Sequence, residues 1–136
     1  MSSFLRISGD FNPDAIREFA PVEFEIRHRI GDTKRGGGIH GDSLIQFLVS
    51  DADFGDLKAQ FEDMLLFVGC QGDAFAEFCK RPEFSDVFFD FGSEYSPEGG
   101  FLFRSFPGEV VAAAASCGAG LEVSLYPQSE GEREER

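Results

Sequence analysis

Between residues 22 and 30 apolar and charged positions alternate. Val22, Phe24, Ile26 and Ile30 fall on one phase with His28 in step, and Glu23, Glu25, Arg27 and Arg29 fall on the other. A period of two predicts a strand with one buried and one wet face. Leu5 and Ile7 alternate with Arg6 and Ser8 in the same way, which gives a half-buried strand over 3–8. Leu44–Val49 (LIQFLV) is apolar on both phases, the pattern of a central strand. Further strands are expected over 87–91 (VFFDF), 101–106 (FLFRSF) and 121–126, where Leu121, Val123 and Leu125 form the inner face.

Helical spacing separates these strands. Asn12 caps a helix with Pro13 at its first position and Asp14 in its first turn, and Phe11 and Ile16 are placed as a hydrophobic staple. Pro21 ends it. The longest helix follows a cap at Asp51 or Asp53, with Phe54, Leu57, Phe61, Met64, Leu65 and Val68 spaced by three and four as its buried stripe. Gly69 and Gly72 interrupt the pattern, and a short helix with Phe75, Phe78 and Cys79 inward runs to Arg81–Pro82. Pro107 opens a last helix whose alanines, Ala112 to Ala115, allow close approach to a sheet, with Gly118 as C-cap.

The two ends of the chain therefore read alike, each as strand, proline-initiated helix and strand. The alternation of elements predicts a single α+β domain over 1–126, followed by an acidic disordered tail over 127–136. The expected sheet is mainly antiparallel, of about six strands, with three to four helices on one face. Its first four strands follow the ferredoxin-like βαββαβ order, and a further βαβ is appended.

Charge narrows the range of partners. The chain carries a net −13, and residues 51–98 alone hold twelve acids against three bases. Such a field repels phosphate, which argues against nucleic acid and acidic membranes and favours a basic protein partner. No apolar run approaches the ~20 residues of a membrane span, and the N-terminus lacks the pattern of a signal peptide. Cys70, Cys79 and Cys117 are odd in number and lie in apolar contexts, so they read as free, buried thiols of a cytoplasmic protein. Nothing in the sequence calls for a cofactor.

Several motifs imitate chemistry. Gly41–Leu44 (GDSL) matches a hydrolase nucleophile block with Ser43 as nucleophile, but such an enzyme needs a downstream histidine base, and His28 and His40 both precede it. GGGIHGDS imitates a phosphate loop, but Asp42 occupies the lysine position. Asp51, Asp53 and Asp56 resemble a cation site, yet lack the spacing of a calcium loop and are explained by helix capping. His28 or His40 paired with Asp42 or a nearby glutamate has the makings of a general base, set against a structural role at the edge of the core. No Cys/His grouping has the close spacing of a zinc site, so no metal is expected. Arg27 and Arg29 on the wet strand face, with Lys34 and Arg35 in the glycine loop, form a basic patch that could take a carboxylate, set against pairing with glutamates across the sheet.

The opening LRISGDFNPDAI resembles the start of the bacterial family known as domain of unknown function 4279, whose members begin with a strand, a Gly-Asp and a helix introduced by a proline-acid pair. The later layout is similar too: a Lys-Gly-bearing loop (Lys34 to Gly36), a long central helix, and a terminal strand ending near Tyr126. The chain departs from the family in lacking its mid-strand tryptophan and the leucine-glycine end of its first helix. The resemblance implies a small cytoplasmic bacterial protein with an immunity-type or accessory role, and it carries no catalytic residues across. Together these readings give a non-enzymatic protein-binding module, monomeric or homodimeric. The alternative is a small hydrolase or ligand-binding enzyme using His40, Asp42 and Ser43.

Overall fold

The computed structural model describes residues 1–95 and 105–127 of the chain. Its elements are β1 (Ser3–Gly9), α1 (Pro13–Ile16), β2 (Glu25–His28), β3 (Ser43–Ser50), α2 (Leu57–Cys79), β4 (Phe84–Tyr95), α3 (Gly108–Ser116) and β5 (Gly120–Pro127). Among the described residues five strands form one mixed sheet in the order β2-β3-β1-β4-β5, antiparallel except for the β4–β5 pair. The fold is thus α+β. The strand expected at 101–106 falls mostly on residues outside those described, and Ser105–Phe106 carry no strand. The tail beyond Pro127 also lies outside them, and Pro127 itself belongs to β5 rather than to the tail.

One alternation phase of β1, β3 and β4 faces the helices, whereas in β5 Leu121 packs on the core and Leu125, expected on the inner face, is exposed. Leu5, Ile7, Ile45, Phe47, Phe89 and Phe91 are all within 1 % of complete burial, and they join Ile16, Met64, Phe75 and Val110 in one hydrophobic cluster. Burying a side chain of this size contributes about 1.5–3 kcal/mol, so the phenylalanines dominate the core. Phe47 illustrates their packing, with edge-on contacts to Phe24 at 5.5 Å, Phe75 at 5.3 Å and Phe78 at 6.0 Å.

Local signals account for the helix ends. Asn12 caps α1 through its side-chain oxygen, which accepts from the Asp14 N–H at 3.0 Å, and Asp56, not Asp51 or Asp53, caps α2 by accepting from Ala59 at 3.0 Å. Within α2, Gly72 adopts φ 71° and ψ −163°, a conformation open to glycine, and splits the element into the long and short helices expected from the sequence. Gln60 is fully buried in that helix. Its amide donates to the carbonyls of Gly92 (2.8 Å) and Asp53 (3.0 Å), and its oxygen accepts from the Ser3 hydroxyl (2.6 Å), so one side chain ties α2 to β1 and β4.

Two strands differ from expectation. β2 is confined to Glu25–His28, because its register with β3 slips between Ile26 and His28. Ile26 stands opposite Ile45 on the core side, but His28 stands opposite Leu44, on the other face, so the bulge at Arg27 turns His28 out of the core. Ile30 is left exposed. β4 runs beyond the expected 87–91 at both ends, from Phe84 to Tyr95, and Gly92–Tyr95 pair in parallel with Ser124–Pro127. Cys79 and Cys117 are buried free thiols, whereas Cys70 is exposed, on the solvent side of α2.

Candidate functional site

The connection between β2 and β3 folds back on itself. The Gly31 N–H donates to the His40 carbonyl (2.9 Å), the His40 N–H to the Asp32 carbonyl (2.8 Å), and the Lys34 N–H to the Gly38 carbonyl (2.9 Å). Thr33 and Ile39 form an isolated bridge. Gly37 and Gly38, with φ of 102° and 80°, supply the left-handed backbone that the tip requires. The glycine stretch is therefore a hydrogen-bonded hairpin end, and its closure brings His28, His40 and Asp42 together.

The imidazoles of His28 and His40 stack with ring centroids 3.7 Å apart and planes 11° from parallel. His28 Nε2 lies 3.1 Å from Asp42 Oδ1, with the His28 side chain mostly covered and the carboxylate half exposed. One ligand atom from each of the three residues lies within 4.8 Å of the other two, and all three are of intermediate burial. Two imidazoles and a carboxylate in this arrangement are able to move a proton or hold a metal ion.

Comparison of the chain with protein-family models, with curated proteins and with solved structures finds no match. The site is thus read from its own atoms.

Ser43, the candidate nucleophile, is fully buried, and its hydroxyl is committed at both ends. It donates to the Phe11 carbonyl at 2.7 Å and accepts from the Ile30 N–H at 2.9 Å, which fastens the start of β3 to the chain on either side. The structure joins His40 and Asp42 to His28, and gives Ser43 a structural task.

The basic patch is divided. Arg27 pairs with Glu25 of its own strand at 2.8 Å, and Arg29 takes Asp14 of α1 through Nη2 at 3.1 Å and Nε at 3.2 Å. That contact holds the Asp14 carboxyl below its ordinary range and raises Arg29, the hydrogen bond being the larger cause in each case. Lys34 and Arg35 are exposed in the hairpin end and form no ion pair among the described residues. Arg27 and Arg29 are thus neutralised by neighbours, though not by glutamates across the sheet.

A second concavity lies at the opposite charge extreme. A cleft of about 660 Å³ is lined by Met1, Asp51, Ala52, Asp53, Phe54, Gly55, Asp56 and Glu94. Asp51 meets the N-terminal amine at 2.8 Å, and Asp56 is occupied with capping. Phe54 packs on Tyr126 at 5.0 Å and lies over Gly92, giving the acidic rim an aromatic floor.

The sequence paired Asp42 with one histidine or the other, but did not bring the two histidines together. The hairpin is centred on Gly36, with Thr33 opposite Ile39 and His28 opposite Leu44, which leaves Asp42 two residues from the position facing His28, and that near-symmetry around the glycine run was the available signal. It was obscured because the alternation of β2 put His28 on the core phase, and only the bulge moves it off. Among the described residues no helix is long and apolar enough to cross a membrane.

Proposed function

We propose that this protein is a non-enzymatic protein-binding module of the immunity or accessory kind, and that its acidic cleft receives a basic segment of its partner. The observation that carries this reading is the cleft itself: four carboxylate residues, Asp51, Asp53, Asp56 and Glu94, rim one concavity over the Phe54 ring in a chain of net charge −13. An acidic concavity concentrates field and speeds encounter with a cationic partner. The committed hydroxyl of Ser43 favours the binding module over a serine hydrolase at the glycine hairpin.

Three finer points belong to the same reading. The antiparallel run β2-β3-β1-β4 supports a ferredoxin-like arrangement of the first four strands, with β5 appended in parallel. The opening LRISGDFNPDAI, which folds as β1 and the capped α1, supports kinship with domain of unknown function 4279. The free thiols Cys79 and Cys117 fit a reducing, cytoplasmic setting.

The test is affinity capture from the native host at low salt, with the unaltered chain and with Asp51→Lys/Asp53→Lys. Recovery of one basic protein by the unaltered chain, released by salt as screened contacts are and lost with the double reversal, is the expected result. Equal capture by both chains overturns the placement at the cleft. Loss of the biological effect in a Ser43→Thr variant that folds and still captures the partner would instead point to the enzyme.

A further inference from the structure

We infer that His28, His40 and Asp42 form a binding site for a divalent first-row transition metal of the zinc class, independent of the acidic cleft. The donor set decides the class. Two imidazole nitrogens and one carboxylate oxygen suit zinc, cobalt, nickel and copper, whereas magnesium and calcium require oxygen-only shells.

The geometry fits such an ion. Metal–ligand bonds of about 2.1 Å place neighbouring donor atoms about 3.0–3.4 Å apart in octahedral or tetrahedral shells. His28 Nε2 and Asp42 Oδ1 already stand 3.1 Å apart, the length of one edge of that polyhedron. The third donor, from His40, lies within 4.8 Å of both, so a rotation of one side chain closes the triangle. The nitrogen lone pairs lie in the ring planes, and near-parallel planes with centroids 3.7 Å apart share no common point, so binding turns one imidazole out of the stack.

The backbone holds the three donors ready. His28 ends a strand paired with β3. His40 is pinned by hydrogen bonds from and to Gly31 and Asp32, and Asp42 directly precedes Ser43, whose hydroxyl is anchored on both sides. Three ligands from a preformed hairpin cost little ordering on binding. Intermediate burial leaves the remaining coordination positions to water, and an overall −13 charge favours the cation.

The test uses the full chain with zinc alone, followed by calorimetry, and cobalt alone, followed by its visible absorption. One equivalent of zinc is expected to bind, with Cys70→Ser unchanged. His40→Ala, whose side chain lies in the hairpin end and outside the core, is expected to weaken binding at least about tenfold, and so is Asp42→Asn. Circular dichroism checks that each variant is folded, and shifts of the two histidine ring resonances on adding zinc to the unaltered chain supply a measurement free of any variant. Absence of binding by the unaltered chain overturns the site. So does full binding by His40→Ala/Asp42→Asn, loss of binding in Cys70→Ser, or ring resonances that stay in place as zinc binds. The acidic cleft stands or falls separately, because Asp51→Lys/Asp53→Lys is expected to bind zinc normally.

Discussion

Arg29 grips Asp14 with two of its nitrogens and thereby ties the chain just after β2 to the first turn of α1. The pair is exposed, so its contribution is small and screened by solvent. Its sign is definite. The Asp14 carboxyl is held below its ordinary value, so its stabilisation is present above the unfolded carboxyl pKa and is lost as pH falls through the folded one. Asp14→Asn should therefore lower the urea midpoint slightly at pH 7. The difference from the unaltered protein should vanish at pH 2, and an equal difference at both pH values would refute the assignment.

Ser43→Ala separates a structural hydroxyl from a chemical one. The substitution strands the Phe11 carbonyl and the Ile30 N–H, and should cost about 1–3 kcal/mol in urea unfolding. Unchanged stability would show that the two hydrogen bonds are not needed.

Gln60→Leu keeps the volume and removes the amide. It takes away the partner of the buried Ser3 hydroxyl and a donor to the Gly92 carbonyl, while the Asp53 carbonyl still accepts from the Asp56 N–H. Each such group costs about 1–3 kcal/mol, so thermal unfolding should fall sharply. A variant as stable as the parent would mean that the leucine is better accommodated than this geometry allows.

Gly9→Ala tests the closest backbone approach in the sheet. A Cβ there would run into the Glu83 carbonyl oxygen and come within 3.0 Å of the Ser85 nitrogen. Backbone on both sides cannot yield as a side chain does, so a loss of at least about 1–3 kcal/mol is expected in chemical denaturation. A neutral effect would imply that β1 and β4 separate freely at this point.

The three thiols should divide by exposure. Cys70 is open to solvent, while Cys79 and Cys117 are 2 % and 1 % exposed. The two buried thiols act on each other, and together with burial this pushes Cys79 up. A disulfide reagent should therefore modify one cysteine rapidly in the folded protein and the other two only after unfolding. Rapid modification of all three would contradict the packing of α3 on α2.

Much of this architecture was legible because local signals agreed with the tertiary structure. Asn12–Pro13 starts α1, Leu44–Val49 lies in β3, and Gly118, at φ 65°, follows α3, each where the residue types place it. The failures have specific physical causes. The bulge at Arg27 reverses the phase of His28, and no alternation pattern announces an extra residue. Gly92–Ser93–Glu94 has turn-forming composition but becomes strand, because β5 offers it parallel pairing partners more than thirty residues away. Gln60 reads as a polar position on a helix and is fully buried, its partners coming from three separate segments. The acidity around Asp51–Asp56 was visible, but its assembly with Glu94 into a cleft depended on where β4 ends.

The break at Gly72 has a consequence for the length of the helical layer. Residues eight apart in an unbroken helix are separated by about 12 Å along its axis. Phe67 and Phe75 are eight apart, yet their rings meet edge to face with centroids 5.3 Å apart. The kink at that glycine accounts for the contact. A straight helix of 23 residues would run about 34 Å, longer than the eight-residue β3 at about 27 Å but shorter than the twelve-residue β4 at about 40 Å. By turning the chain, one glycine sets the short helix against the end of the long one and makes a wedge of phenylalanine from what would otherwise be a straight rod.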